Sequence, residues 1–171
     1  AIAAELKPLK LGRATIRVAF TPLSESEAGA AGAERVEFEA ETNPGAGFGQ
    51  LRKVASGGEL ARVSLALKCA LAEAGSAGTL IFDEADQGVG GAVAAAIGER
   101  FEHLARTRQV VAVTHSPQVA AAADNHWLIE KLPEAGETQL SLLDACGRRE
   151  EIARMLSGAE ITDEARAAAG R

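Results

Sequence analysis

The sequence predicts an α/β fold, with a mostly parallel sheet flanked by helices and an antiparallel β-hairpin near the N-terminus. Alternating apolar and polar residues at 15–20 and 35–41 indicate two half-buried strands that form the hairpin. Farther along the chain, short apolar runs at 79–82 and 109–113 flank a helical pattern at 92–106. Strands that alternate with helices are joined by right-handed crossovers, and such strands run parallel.

The composition is that of one soluble globular domain. Of the 171 residues 47% are apolar, and the mean hydropathy is +0.01. No apolar run approaches the ~18 residues of a membrane span, so we expect no membrane contact. The net charge is −6 and the basic residues are scattered, which argues against a nucleic-acid surface on this chain alone. Cys69 and Cys146 lie far apart and predict two reduced thiols in a cytoplasmic protein.

Residues 1–10 have the pattern of the end of a helix that stops near Pro8. We expect this uncapped start to lie inside a larger protein. Residues 22–33 predict a mobile hairpin loop, and residues 42–45 predict a turn. The expected strand faces are Ile16, Val18 and Phe20 together on the first strand, then Val36, Phe38 and Ala40 inward with Arg35, Glu37, Glu39 and Glu41 outward on the second.

A serine and two glycines stand directly before a helical pattern. The apolar positions of that helix are Leu60, Val63, Leu67, Ala70 and Leu71. Ser56, Gly57 and Gly58 should therefore lie where a loop becomes the first turn of a helix. The N–H groups of such a turn lack partners inside the helix, and with a serine hydroxyl they suit a phosphate. A plain helix cap would have the same three residues, so this stretch alone leaves both interpretations open.

Strands and helices alternate after Gly78. The run at 79–82 is apolar enough to be a strand that is covered on both faces. The later elements predicted are a glycine-rich loop at 88–91, a helix at 92–106, a strand at 109–113, a short helix at 118–123, strands at 126–130 and 138–143, and helices at 150–156 and 162–169. We expect the strand at 138–143 to pair with the one before it as an edge strand.

Polar side chains follow two of these strands at the point where each strand ends. Asp83 and Glu84 come directly after the run at 79–82, and His115 follows the strand at 109–113. In an open parallel sheet, ligands bind beyond the carboxyl ends of the strands. Asp83 fits Mg²⁺ that is bound by way of water, and Glu84 fits a base that orients and deprotonates an attacking water.

The next loop and the second strand end supply further polar groups. Asp86 and Gln87 could reach a neighbouring subunit, and His115 could donate a hydrogen bond to a terminal phosphate. Each of these features also has an ordinary structural interpretation. The pair Asp83-Glu84 could begin a helix cap, and His115 could be a surface histidine without a ligand.

The order of the motifs resembles the C-terminal half of an ABC-type ATPase. Residues 55–59, Ala-Ser-Gly-Gly-Glu, resemble the signature motif, and residues 80–84, Leu-Ile-Phe-Asp-Glu, resemble Walker B. Asp86 falls in the D-loop and His115 falls in the switch. Transporters usually carry glutamine where this chain has Glu59, so the signature is more similar to that of the SMC-related branch.

Four longer blocks are similar to the RecN family of bacterial DNA repair proteins. The blocks are residues 42–45, 53–62, 82–91 and 113–120, and the resemblance runs from about Ala14 to Leu156. It implies half of an ATP-hydrolysing head that acts in double-strand-break repair, with ATP and Mg²⁺ as cofactors. Residues 1–10 would end a returning coiled-coil helix, and residues 11–171 would form the C-terminal lobe of the head.

The resemblance also implies partners. In this family a Gly-x-x-x-x-Gly-Lys-Ser/Thr loop, Walker A, lies in an N-terminal lobe beyond a long coiled coil, and no such loop occurs in this sequence. The expected partners are the N-terminal Walker A lobe of the same protein, a second head that forms a homodimer across ATP, and DNA bound by the full-length protein. We expect the isolated chain to be inactive because it lacks Walker A.

The residue roles implied by the resemblance follow the motifs. Ser56, Gly57 and Gly58 would bind the γ-phosphate of ATP held by the other head, and Glu59 and Asp86 would belong to the nucleotide site. Asp83 would bind the metal. Glu84 and His115 would be catalytic.

Three alternatives remain at this stage. The nucleotide-binding half of an ABC transporter shares the motifs, but it would need a helical subdomain before the signature, where this chain has a hairpin. A stand-alone enzyme could use Ser56, His115 and a carboxylate as a nucleophilic triad, although the Gly-x-Ser-x-Gly elbow is absent. A passive dimerisation module would have no catalytic role.

Overall fold

The computed structural model describes residues 2–132, 136–158 and 161–170, and the chain divides after Ala77 into two compact units. The first unit contains α1 (Ile2–Leu6), β1 (Thr15–Pro22), β2 (Glu34–Glu41), β3 (Gly49–Gln50), α2 (Leu51–Val54) and α3 (Gly57–Ala74). The second contains β4 (Thr79–Asp83), α4 (Gly91–Ala105), β5 (Gln109–Val113), α5 (Pro117–Ala121), β6 (Trp127–Lys131), β7 (Thr138–Leu142), α6 (Ala145–Ser157) and α7 (Asp163–Ala169). The α/β class is confirmed. Residue 1 of the predicted helix end lies outside the described residues.

The N-terminal hairpin is confirmed, with β3 added beside β2. β1 and β2 pair antiparallel from Thr15 opposite Glu41 to Pro22 opposite Glu34. One face of the hairpin is charged, since Arg17 forms an ion pair with Glu39 at 2.6 Å. The same guanidinium lies 4.1 Å from the centre of the Phe48 ring, so a cation–π contact adds to the pairing on this face.

The apolar face of the hairpin is exposed. Val18, Phe20, Val36 and Phe38 all lie there, and Phe20 is 60% exposed. The prediction that Val36 and Phe38 point into a core is therefore wrong for the described residues. The alternating pattern identifies which side of the strand these residues share, but it does not supply a layer that covers that side.

Helix α3 is the long helix predicted after the Ser-Gly-Gly stretch. Of the predicted stripe it buries Val63, and the other buried positions are Leu65, Ala66, Cys69 and Ala72. Leu60 and Leu71 are exposed, which corrects the prediction for both leucines. Small side chains let neighbouring elements approach the helix closely, and an argument from leucine spacing alone overlooks them.

The second unit is built on a parallel pair of strands. β4 and β5 align from Thr79 opposite Gln109 to Asp83 opposite Val113, as the crossover pattern predicts. Helix α4 covers one face of the pair, where Phe82 stacks on Phe101 with ring centres 4.3 Å apart.

The other face of this pair is uncovered. Ile81, Val111 and Val113 are exposed there, and Ile81 is 72% exposed. The prediction that both faces are covered is therefore wrong for the described residues, because the face that carries these three side chains is exposed.

Helix α5 packs tightly on α4. A Cβ atom at Gly98 would lie 2.9 Å from the Cβ of Ala122 and 3.1 Å from the carbonyl oxygen of Gln118. Contacts this short leave no room for a larger residue, so Gly98 fixes the distance between the two helices.

β6 and β7 pair as predicted, and the pairing is antiparallel, from Trp127 opposite Leu142 to Lys131 opposite Thr138. They make a separate sheet, so within the described ranges the parallel pairing comprises β4 and β5. Helix α6 begins five residues before its predicted start because Asp144 caps it, accepting a hydrogen bond from the Gly147 N–H at 2.7 Å. None of the helices described is long and apolar enough to cross a membrane.

The buried face of α4 and the uncovered face of β4 predict different losses of stability when a side chain is truncated. Ile97→Ala should lower the free energy of unfolding of this chain by about 2–5 kcal/mol, because Ile97 is completely buried. Ile81→Ala, the matched control on the uncovered face, should change it by less than about 0.5 kcal/mol. Urea unfolding of the two variants measures both values. Equal losses would contradict the assignment of core and surface.

Candidate functional site

Ser56 is exposed and caps the N-terminus of α3. Its hydroxyl accepts a hydrogen bond from the Glu59 N–H at 3.4 Å and donates one to the Glu59 carboxylate at 2.7 Å. The Ser56 N–H donates to the same carboxylate at 2.8 Å. Ser and Glu three residues apart thus form a reciprocal capping box, which is why the helix begins here.

Gly57 and Gly58 occupy the first turn of α3 and are exposed. A Cβ atom at either position would meet no atom within 4 Å, and neither residue has a left-handed backbone. Glycine at the start of a helix costs stability relative to alanine. Neither the packing nor the backbone of this unit requires glycine at these positions, whereas close approach of an outside group to the N–H groups would.

The carboxylate of Glu59 lies next to these N–H groups. Hydrogen bonds from the Ser56 N–H and hydroxyl lower the pKa of Glu59 below its ordinary value, and Arg62 adds a smaller electrostatic effect in the same direction. A negative charge in the first turn is favourable because it interacts with the positive end of the helix dipole. The structure therefore confirms where Ser56, Gly57, Gly58 and Glu59 lie, while a role in binding ATP remains a prediction.

In the second unit, the predicted catalytic groups lie at one edge of the parallel pair. Asp83 ends β4 opposite Val113, the last residue of β5. Glu84 follows Asp83 directly, and His115 comes two residues after Val113. Asp83, Glu84 and His115 are all exposed. The strand register therefore brings together the groups that the sequence analysis placed at this edge.

Glu84 has an unusual backbone conformation. Its φ angle is +48°, in the left-handed region that costs a non-glycine residue about 1–2 kcal/mol. The Glu84 N–H donates to the Val113 carbonyl at 3.1 Å, and the Glu84 carbonyl accepts from the Gln87 N–H at 3.0 Å. The Gln87 side chain also donates to the Glu84 carboxylate at 3.3 Å. Strain of this kind persists where surrounding bonds enforce it, and such residues are concentrated at functional sites.

Asp86 is buried, with only 1% of its surface exposed. Its Oδ2 atom accepts hydrogen bonds from the Thr114 hydroxyl and, at 3.1 Å, from the Ser116 N–H. The expectation that Asp86 reaches a neighbouring subunit or belongs to the nucleotide site stays a prediction. Its carboxylate is directed inward because the two donors beside His115 satisfy it there.

Magnesium would have to be held at this edge by very few protein ligands. In the described ranges, no group of three or more His, Cys, Asp and Glu residues is arranged to hold a metal ion. Mg²⁺ is usually bound through one or two carboxylates, while substrate phosphates and waters complete its shell. The exposed Asp83 fits an ion that arrives with a nucleotide better than it fits a metal held by the protein alone.

Sequence reasoning missed Thr114 and Ser116 as partners of Asp86, and it missed Gln87 as a partner of Glu84. A carboxylate in a short loop and hydroxyl residues beside a strand end are both visible in the sequence. Nothing in that pattern specifies which donor meets which acceptor. The β4–β5 register brings Asp86 to Thr114 and Ser116, whereas Gln87 and Glu84 meet within one loop.

Comparison with known proteins identifies relatives of the whole chain. The DNA repair protein RecN of Xylella fastidiosa (strain Temecula1 / ATCC 700964) is 45% identical over 168 residues, which is 97% of this chain. The chain is RecN-related. It spans 30% of the length of that RecN protein, so most of the relative has no counterpart here. No family model matches the sequence.

Solved structures show the same fold. An SMC ATPase studied for ATP-driven dimerization and DNA-stimulated activation superposes with a TM-score of 0.66 and 18% identity, over 94% of each chain. The Smc head domain of Pyrococcus yayanosii, solved with a coiled coil and joint, superposes with a TM-score of 0.68 and 20% identity, over 88% of this chain and 27% of the other. The RecN-related chain therefore has an α/β fold that resembles SMC head domains.

The capping box predicts a specific pH dependence for the RecN-related chain. The folded state holds the pKa of Glu59 below its ordinary value of 4.5, so it gains stability above that pH and loses it as the pH falls through the lower folded value. Glu59→Gln should flatten the loss of unfolding free energy toward acid pH, because an amide does not titrate in this range.

Urea unfolding at a series of pH values from neutral to acid measures this slope. Glu25→Gln, a charge-matched change on the exposed hairpin loop, should retain the wild-type dependence. A Glu59→Gln slope equal to that of the wild type would contradict the assignment.

Proposed function

We propose that this chain is the C-terminal lobe of an SMC-like, ATP-hydrolysing head that acts in DNA double-strand-break repair. The observation that carries the proposal is the geometry of the β4–β5 edge, where Asp83, Glu84 and His115 emerge together at the end of a parallel pair. The RecN relationship and the SMC head-like fold support it. The relative is a DNA repair protein by name, and that activity is extended here to the protein that contains this chain.

Each group at the edge has a distinct task in this proposal. ATP bound with Mg²⁺ supplies the phosphoanhydride bond that is hydrolysed. Asp83 holds the metal, directly or through water. Glu84 orients the attacking water and accepts its proton, and His115 donates a hydrogen bond to the terminal phosphate. The hydrogen bond from the Gln87 side chain, at 3.3 Å, restrains the Glu84 carboxylate before a substrate is present.

The α3 N-terminus serves a nucleotide that another copy holds. Ser56, Gly57 and Gly58 present a hydroxyl and N–H groups on the surface, where a γ-phosphate from outside can reach them. In this arrangement two heads enclose two ATP molecules, and each signature motif completes the site of the other head. The SMC ATPase with the same fold is described as dimerizing in an ATP-driven way, which supports a homodimer across ATP.

The uncovered strand faces support a second partner, the N-terminal Walker A lobe of the same protein. Ile81, Val111 and Val113 form an exposed apolar surface on β4 and β5. Contiguous apolar surface of this kind is typical of an interface. Because the chain spans 30% of its RecN relative, the longer protein has ample sequence to cover this face. DNA would be bound by the full-length protein, in the cytoplasm and on the nucleoid.

An ABC transporter half is the alternative, and it is not favoured. Transporter nucleotide-binding domains place a helical subdomain before the signature motif. Here the residues before Ser56 form the β1–β2 hairpin with β3 and the four-residue α2. The relatives and the structural neighbours are repair and SMC proteins.

Glu84→Gln in the full-length protein tests the proposed function. Loss of the base should lower ATP hydrolysis by about 100-fold or more while leaving ATP binding intact. ATP should therefore accumulate in an engaged dimer, which light scattering and the amount of retained nucleotide measure. The 171-residue chain alone should hydrolyse no ATP.

Glu99→Gln is the matched control, because Glu99 is exposed on α4 and away from the strand edge. It should hydrolyse ATP at the wild-type rate. Wild-type hydrolysis by Glu84→Gln would exclude Glu84 as the base, and turnover by the isolated chain would exclude the need for a second lobe.

A further inference from the structure

The burial of Asp86 is the feature of the second unit that the proposed mechanism does not use. A carboxylate removed from water costs several kcal/mol unless hydrogen bonds compensate for the lost hydration. Asp86 is 1% exposed, and the side-chain bonds it accepts come from Thr114 and Ser116. Those two bonds offset the cost of burying the carboxylate, and they join the loop after β4 to the segment after β5.

The two donors lie on either side of His115. The Thr114 hydroxyl donates to Asp86 Oδ2, and the Ser116 N–H is shared between Asp86 Oδ2 at 3.1 Å and Thr114 Oγ1 at 2.9 Å. The Thr114 side chain and the Ser116 backbone, on either side of His115, are thus both hydrogen-bonded to one buried oxygen atom. The imidazole itself remains exposed at the strand edge.

The residues after His115 are also held. Ser116 is the residue directly before α5, and its hydroxyl donates to the Gln118 side chain at 2.9 Å. The close approach at Gly98 fixes α5 against α4. The His115 backbone therefore has little freedom to move unless the bonds to Asp86 are broken.

We propose that Asp86 is a positioning residue for His115, acting through the Thr114 hydroxyl and the Ser116 N–H. It sets the position of the histidine relative to Glu84. The neighbouring Gln87 contacts the Glu84 carboxylate at 3.3 Å, so adjacent residues of one loop hold both catalytic groups. This inference rests on the proposed ATPase function.

A double-mutant cycle in the full-length protein tests the proposal. Asp86→Asn removes the charge of the acceptor and His115→Ala removes the group it positions, and the double variant completes the cycle. Asp86→Asn should lower kcat about tenfold or more with KM for ATP unchanged, because small displacements of a catalytic group have effects of this size. The double variant should be no slower than His115→Ala alone.

If the kcat losses of the two single variants multiply in the double variant, the positioning role of Asp86 is overturned. The proposed ATPase function would be unaffected by that result. A wild-type kcat for His115→Ala would instead remove the proposed role of His115, and the role of Asp86 would fail with it. Asp163→Asn is the charge-matched control, since Asp163 is exposed in α7, and it should leave kcat unchanged.

A second pair of variants covers the case in which Asp86→Asn does not fold, which loss of ATP-binding stoichiometry would reveal. Thr114→Val removes the hydroxyl donor and should lower kcat. Thr114→Ser keeps that donor and should retain most of the wild-type kcat. Equal kcat values for the two Thr114 variants would overturn the proposal.

Discussion

The parallel register of β4 and β5 determines the position of each candidate catalytic group in the second unit. Because Asp83 pairs with Val113, the chain leaves both strands at the same height, and Glu84 and His115 emerge at one edge. The bond from the Glu84 N–H to the Val113 carbonyl extends this pairing by one residue. Asp86 then ties the loop after β4 to the segment after β5. The backbone pairing of β4 with β5 and the hydrogen bonds of the buried Asp86 carboxylate together position the residues at this edge.

Both units also contain features that their own packing does not explain. In the first unit, glycines start α3 where a Cβ atom would meet nothing, and the apolar face of the hairpin is exposed. In the second unit, Ile81, Val111 and Val113 are exposed on one face of β4 and β5. Such features lower the stability or solubility of an isolated domain. Partner surfaces would account for them, namely a phosphate at Gly57 and Gly58 and protein on the strand faces.

The sequence predicts the elements of this fold better than it predicts their surroundings. The period-two pattern finds both strands of the hairpin, and β5 has the predicted bounds of 109–113. The pattern misjudges Val36, Phe38 and the outer face of β4, because alternation says which residues share a face and nothing about what covers it. The α3 stripe is misjudged for another reason, since Ala66 and Cys69 are buried where the larger Leu71 is not.

In the candidate site, too, the positions of residues are predicted from the sequence and their contacts are not. Motif order places Ser56 at a helix start and Asp83, Glu84 and His115 at strand ends, and the structure confirms these positions. The sequence alone does not reveal that Asp86 is buried, because its partners are about thirty residues away and meet it only through the strand register. Hydrogen bonds between distant residues depend on tertiary structure, and local patterns do not contain that information.

The central claim is that the α3 N-terminus of one copy serves the nucleotide held by another, and mixed dimers test it most directly. Gly58→Ala and Glu84→Gln should each inactivate the full-length protein when alone. Mixed in equal amounts, the two variants should recover about a quarter of the wild-type ATPase rate, because half of the dimers then contain one intact composite site out of two. No recovery on mixing, with mixed dimers shown to form, would mean that signature and base act within one copy, and it would contradict the account.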